Sequence, residues 1–325
     1  MRQVDLAIVG AGVAGLSAAT VAAQHGLSVL VIERMGAGGQ VMNVETIHNM
    51  PGFPNGISGF ELGPLLQEQA EAAGAQFMLD TVATVRAAPV LRQAQDDGES
   101  GPSASSGQAA FVVECEGESV QARAVLVAAG SIRRKLGVPG EELEGRGVSH
   151  CASCDGPMFR GQPVCVVGGG DSAFGEAAVL AGQASRVTLV FSGRRPHAQK
   201  LLVDAIAGLP QVQLVADSEV TAITAQDGVT GLRIRQDDGT VRELPARGVF
   251  VYAGLQPASA FLADTLRLDA AGRILTDAHF GSSVPGIFAA GDIRAGAAWL
   301  LASAAGEGAA AAVAACRYLQ EDSGS

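Results

Sequence analysis

The sequence predicts an α/β protein built on two nucleotide-binding units of the strand–turn–helix kind. Three observations carry that prediction. A Gly10-Ala11-Gly12-Val13-Ala14-Gly15 turn lies near the N-terminus, and a second glycine turn, Gly168-Gly169-Gly170-Asp171-Ser172-Ala173, lies in mid-chain. Between them, shortly before the second turn, stands Cys151-Ala152-Ser153-Cys154-Asp155-Gly156, a CxxC followed at once by an acid and a glycine.

The first unit opens with an apolar run over residues 4–9, short enough for a buried strand, followed by the glycine turn and an alanine-rich helix reaching about His25. Residues 27–32 return as a second strand that closes on Glu33. Gly10, Gly12 and Gly15 allow a tight turn and let the helix start approach a pyrophosphate, while Glu33 is placed to bind a ribose hydroxyl. The second unit repeats the pattern: a strand over 163–167, the turn over 168–173, a helix over 174–182 and a strand over 186–191. Gly168 and Gly170 are the candidate nucleotide-binding glycines there. The Asp-, Gly- and Ser-rich stretch 93–110 reads as an exposed hairpin loop rather than a linker, and residues 299–316, mostly Ala and Gly, read as a buried helix.

Composition narrows the function. The chain has 325 residues, 43 of them glycine, and only 17% are charged, which fits a compact protein with ample cores. A net charge of -11 argues against nucleic acid or an anionic membrane as the main partner. Five cysteines do not make a secreted disulfide framework, and the N-terminus leads directly into a strand, so a reducing cytoplasm is the expected compartment. Residues 299–316 are interrupted by Glu307 and too weakly apolar to span a bilayer.

Cys151, Cys154 and Asp155 are the candidate catalytic residues. Two cysteines at this spacing close a small disulfide ring, and a helix start lowers a thiol pKa to about 3.5–7.5 in known cases. The acid that follows is placed to supply or remove the proton that dithiol–disulfide exchange requires. The competing reading, half of a zinc site, lacks partners: Cys115, Cys165 and Cys316 stand alone, with no second CxxC or HxxxH pair. No metal is therefore expected.

Taken together, these motifs resemble the low-molecular-weight thioredoxin reductases over nearly the whole chain. The resemblance rests on Gly38-Gly39-Gln40, on His48-Asn49-Met50-Pro51-Gly52-Phe53-Pro54, on Ala128-Ala129-Gly130, and on Val138-Pro139-Gly140-Glu141 leading through Gly147-Val148-Ser149 into the CxxC. Near the C-terminus it rests on Ser283 through Asp292 and on Ala304-Ala305-Gly306-Glu307-Gly308. It implies two Rossmann-like domains, the second inserted in the first: an FAD domain over 1–125 and 248–325, and an inserted NAD(P)-binding-like domain over 126–247 that carries the dithiol. By the same resemblance Gly10, Gly12, Gly15 and Glu33 bind the ADP half of FAD. Gly39, Gln40 and Asn49 lie along the cofactor, Val82 offers backbone groups to adenine, and Asp292 binds the ribityl chain. Cys154 is the thiol that faces the flavin, Cys151 attacks the substrate disulfide, and Asp155 is the acid and base. The implied protein is a homodimer whose partner is thioredoxin or a thioredoxin-like protein.

The chain departs from the family on the nicotinamide side. Where the family ends a strand with His-Arg-Arg and a further Arg to grip the 2'-phosphate of NADPH, the aligned residues run Phe191-Ser192-Gly193-Arg194-Arg195-Pro196-His197-Ala198. All three arginine positions hold other residues, and a phosphate needs planar donors at a fixed place. The family's Arg-Gln before the last helix is replaced by Trp299-Leu300, which makes Trp299 a candidate to stack on the flavin. The usual Glu-Glu pair reads Gly175-Glu176. NADPH is thus a doubtful cofactor, and a ferredoxin or another non-nicotinamide donor is the expected alternative. Two further readings stay open: an FAD-dependent dithiol oxidase that passes electrons to oxygen, and a non-enzymatic flavin and thiol redox sensor.

Overall fold

The computed structural model describes residues 1–88 and 110–323. The chain folds as two compact units, Met1–Ile132 with Pro257–Ser325, and Arg133–Gln256.

The first unit begins with β1 (Arg2–Val9), α1 (Val13–Gln24) and β2 (Val29–Glu33), then α2 (Gly59–Ala72), β3 (Gln76–Leu79), β4 (Val82–Ala87), β5 (Phe111–Cys115) and β6 (Val120–Val127). Its sheet runs β3-β2-β1-β6-β5-β4. The first four strands are parallel, and β4 and β5 turn antiparallel. The loop expected over 93–110 lies, apart from Ala110, outside the described residues; β4 and β5 on either side of it pair antiparallel, with Ala87 opposite Phe111. Residues 6–9 of β1 and 29–32 of β2 are buried on both faces, as their continuous apolar runs require.

The chain then passes through β7 (Ser131–Arg133) into the second unit. There follow β8 (Val148–Ser149), α3 (Ala152–Asp155), β9 (Pro163–Val167), α4 (Asp171–Ala181), β10 (Arg186–Val190), α5 (Lys200–Ala207), β11 (Val212–Val215), β12 (Ser218–Ala225), β13 (Val229–Gln236), β14 (Val241–Pro245) and β15 (Gly248–Val251). A parallel sheet of order β11-β10-β9-β15-β8 forms its centre. On one face Phe174, Leu180, Ile206 and Phe250 form a buried cluster with α4 and α5. On the other, Cys165, Val249 and Val251 pack on Ile223, Leu232 and Ile234 of the antiparallel sheet β12-β13-β14. A fully buried Leu or Ile contributes about 1.5–3 kcal/mol.

The chain leaves through β16 (Leu255–Pro257), which pairs with β7, and re-enters the first unit at Pro257 rather than at 248. The expected return at 248 puts β15 in the wrong unit. Its four residues are buried and pair with β9 and β8. An apolar run buried on both faces carries no mark of which sheet it joins. Finally β17 (Ile287–Ala289) pairs parallel with residues 125–127 of β6, and α6 (Leu301–Ser323) packs on α1. That contact is close: a Cβ at Gly308 would lie 2.0 Å from the Ala14 carbonyl oxygen. The helix expected from residue 299 starts at Leu301, after Trp299, and α4 starts at Asp171, not at 174. Among the described residues no helix is long and apolar enough to cross a membrane.

Candidate functional site

At the first turn, packing explains two glycines and free space explains the third. Gly10 has a φ of +101°, and a Cβ there would sit 2.6 Å from the Ala128 carbonyl oxygen; one at Gly15 would sit 1.9 Å from the Gly10 oxygen. A Cβ at Gly12 meets nothing within 4 Å, so this residue, the N-cap of α1, leaves the helix start open to a ligand. The Glu33 carboxylate is fixed in place: Oε2 accepts the Ala11 N–H at 2.8 Å, and Oε1 accepts those of Arg34 and Met35 at 2.9 and 3.1 Å. This cradle fits the pyrophosphate and ribose of a dinucleotide.

The structure draws several other sequence-identified residues to this turn. Gly38 N–H donates to the Ala11 oxygen at 2.8 Å, and a Cβ at Gly39 would lie 3.2 Å from the Gly12 Cα. Gln40 donates from Nε2 to the Ser131 oxygen at 3.0 Å. Asp292 follows Gly291, where a Cβ would be 3.0 Å from that of Ala14 in α1. Because α6 starts at Leu301, Asp292 is not a helix cap. Burial, and then the charge of Glu307, raise its carboxyl above the ordinary range. Asn49 is exposed on a loop closed by the Ile47–Ile57 bridge, and Val82 opens β4 opposite Cys115. Trp299 is 38% exposed, has a φ of +57°, and has the Arg273 guanidinium 5.7 Å from its ring centre.

Glu307 stands out as a residue that motif matching underrates. It accepts the Gly291 N–H at 2.9 Å and takes two hydrogen bonds from Arg294 at 2.8 Å each, so it braces the segment that carries Asp292. Its signal in the sequence is a lone charge in a run of Ala and Gly.

In the second unit the dithiol begins where β8 ends. The parallel sheet brings the carboxyl ends of β8, β9 and β15 to one edge, and with them the CxxC, the second glycine turn and Tyr252. Cys151 and Cys154 form a disulfide with Cα atoms 5.3 Å apart. Cys151 is half-buried and caps α3, its sulfur accepting the Cys154 N–H at 3.2 Å, while Cys154 is exposed. The buried Ser149 hydroxyl donates to Asp155 Oδ2 at 2.6 Å and accepts the Cys151 N–H at 3.1 Å. One hydroxyl thus ties the acid to the dithiol. From α4, Glu176 Oε2 accepts both the Ala152 N–H at 2.8 Å and the Tyr252 hydroxyl at 3.1 Å. Burial pushes the other thiols away from reactivity, Cys115 up to about 11 with help from Asp80 and Glu118, and Cys165 up to about 12. Of these side chains, Ser149 and Glu176 were legible only as parts of larger motifs, and Tyr252 gave no signal.

The second glycine turn repeats the first in outline. A Cβ at Gly168 would be 2.3 Å from the Tyr252 oxygen, and Gly170, the N-cap of α4, has nothing within 4 Å. The position corresponding to Glu33 holds Phe191, buried with its ring 6.1 Å from that of Phe174. The loop beyond is tied back onto the turn: His197 N–H donates to the Gly169 oxygen at 2.7 Å, and Asp171 accepts the Gln199 N–H at 2.7 Å. Arg194 and Arg195 stand exposed on that loop.

Two glycine cradles in two α/β units, with a CxxC disulfide at the sheet edge of the second, define a nucleotide-linked disulfide oxidoreductase. The chain belongs to the pyridine nucleotide-disulphide oxidoreductase family, which it matches over residues 4–315. Within it the chain is of the low-molecular-weight thioredoxin-reductase type. It is 37% identical over 317 residues to a thioredoxin reductase of Treponema pallidum, covering 97% of each chain. It is 40% identical over 324 residues to a bifunctional thioredoxin reductase/thioredoxin of Mycobacterium leprae, covering 99% of this chain and 67% of that one. The crystal structure of Lactococcus lactis thioredoxin reductase superposes with a TM-score of 0.88 at 32% identity, over 98% of this chain and 99% of that one.

Proposed function

We propose that this chain is a flavoprotein disulfide reductase that uses its Cys151–Cys154 pair to reduce thioredoxin or a thioredoxin-like protein in the cytoplasm, working as a homodimer. The observation that carries the reading is the CxxC disulfide with Asp155 bonded to Ser149, which in turn binds the Cys151 N–H. Thioredoxin as partner is supported by the names of the relatives, one of which joins reductase and thioredoxin in a single chain. The three unpaired cysteines among the described residues suit a reducing compartment.

FAD is the cofactor that the first turn fits, with Gly10, Gly12, Gly15 and Glu33 at its ADP half, Gly39, Gln40 and Asn49 along it, Val82 at the adenine and Asp292 at the ribityl chain. Bound there and reduced by its donor, it would supply the two electrons that open the disulfide. In the chain's own part of the reaction, Cys154 takes the flavin side, Cys151 attacks the substrate disulfide, and Asp155 carries the proton, held at Oδ2 by Ser149. Trp299 is a candidate cover for the flavin.

The second turn argues against NADPH as donor. Phe191, directly after β10, presents no cation to a 2'-phosphate, and Gly168 and Gly170 alone leave a site open to an adenine nucleotide without that selectivity. The donor proposed is a ferredoxin or another non-nicotinamide reductant. Purified protein is expected to be yellow, and Cys154→Ser to keep its flavin while losing thioredoxin reduction. Turnover retained in that variant would move the chemistry away from the CxxC.

A further inference from the structure

A second carboxylate reaches the backbone of the CxxC segment from an element that the exchange chemistry does not use. Glu176, on α4, contacts the amide next after Cys151, and its Oε2 also takes the hydroxyl of Tyr252. Burial first, and then the charge of Glu176, raise the Tyr252 phenol far above its ordinary value, so it serves as a fixed donor. In the disulfide neither sulfur carries charge, and the carboxylate has nothing to oppose. On reduction the balance changes. A thiolate at Cys151 is stabilised by the Cys154 N–H, 3.2 Å from its sulfur in the disulfide form, and opposed by the negative charge beside Ala152.

We propose that Glu176 is a positioning residue that sets the reduction potential of the Cys151–Cys154 pair, making the dithiol a stronger reductant than its backbone setting alone would. A pair whose reduced form is stabilised becomes an oxidant, and a charge that destabilises the thiolate works in the opposite sense. The inference rests on the reading of this pair as the exchange centre. Further charged and titratable groups around the segment include Asp155, held by Ser149; His150, with Nδ1 on the Val251 oxygen at 2.9 Å and Nε2 3.5 Å from Glu144; and Arg133, which acts on Tyr252. The substitutions below leave all of them in place.

Glu176→Gln separates charge from geometry. The hydrogen bonds from Ala152 and Tyr252 end on one carboxylate oxygen, which a glutamine carbonyl oxygen replaces. Tyr252→Phe does the converse, removing a donor and leaving the charge less compensated. The experiment equilibrates full-length holoprotein anaerobically in dithiothreitol redox buffers at pH 8 and pH 5.5, quenches with acid, and reads the oxidation state of the peptide carrying both cysteines by thiol labelling and mass. Each exchange moves two electrons and two protons: dithiothreitol's thiols close to its cyclic disulfide as the Cys151–Cys154 bond opens to two thiols.

Glu176→Gln is expected to shift the equilibrium about tenfold toward the dithiol at pH 8, about 30 mV. The shift should shrink at pH 5.5, where the thiolate is depopulated, and Tyr252→Phe should move the equilibrium the other way and by less. An unchanged equilibrium in Glu176→Gln, an equal shift at both pH values, or the same direction in both variants overturns the proposal. If Glu176→Gln does not fold, the sign of the Tyr252→Phe shift decides. Dithiothreitol stands in for both donor and protein substrate, so a failure to reduce thioredoxin would contradict the functional reading without altering this result.

Discussion

The two glycine turns share a backbone and differ in what surrounds it. In both, the first glycine packs where a Cβ would strike a neighbouring carbonyl, at Ala128 for Gly10 and at Tyr252 for Gly168. In both, the N-cap glycine faces open space. The strand after the first turn ends on Glu33, whose carboxylate is fixed by three backbone N–H groups, whereas the strand after the second ends at Val190 and is followed by the buried Phe191. The third glycine, Gly15, is matched by Ala173. The cradle for a pyrophosphate is thus a property of the backbone, and selectivity for a ribose or its phosphate lies with side chains at the end of the next strand.

The largest expected effect separates the turns by sterics. Gly15→Ala pushes a methyl to within 1.9 Å of a backbone oxygen and is expected to cost about 1–3 kcal/mol and the bound flavin. Gly170→Ala meets nothing within 4 Å and should keep full flavin content and lose no more than about 1 kcal/mol, the weaker N-cap being its one defect. Absorbance of the flavin and thermal melts of both variants check this; equal losses would erase the distinction. An intermediate effect is expected from the double change Ser192→Arg and His197→Arg, which places phosphate donors at two exposed positions of the loop after β10. Flavin reduction by NADPH should rise about 10-fold or more while reduction by NADH changes little, on the ground that charge-assisted bonds to phosphate are each worth about 1.5–3 kcal/mol.

The smallest effect concerns Asp292. Burial, then Glu307, raise its carboxyl, so the folded chain holds that proton more tightly than the unfolded one. The group's favourable contribution is full below the ordinary carboxylate value and is lost as pH rises through the raised one. Asp292→Asn should therefore stabilise flavin-free protein at pH 7, with the gain shrinking toward pH 4. Thermal melts across that range test the sign.

Much of this architecture was legible because the turns and the CxxC are local signals. The strands at 163–167 and after Gly26 follow from short apolar runs, and Cys151, Cys154, Asp155 and the glycines from spacing. What escaped was long-range. The placement of β15 depends on pairing with β9 and β8, contacts far apart in sequence. Glu176 meets Ala152, and Glu307 meets Gly291 and Arg294, only after helices dock on their sheets. The start of α4 at Asp171 was missed because glycine caps a helix without a side-chain mark, although an acid in the first turn favours that start.

The contrast between the turns bears on the electron donor, and anaerobic stopped-flow reduction of the bound flavin tests it most directly. Mixed in turn with NADPH, NADH and reduced ferredoxin, the holoprotein is expected to bleach slowly and without preference with the two nicotinamides, and rapidly with ferredoxin. Fast bleaching by micromolar NADPH but not by NADH would contradict the account, showing that Arg194 and Arg195 grip the 2'-phosphate from the loop after β10.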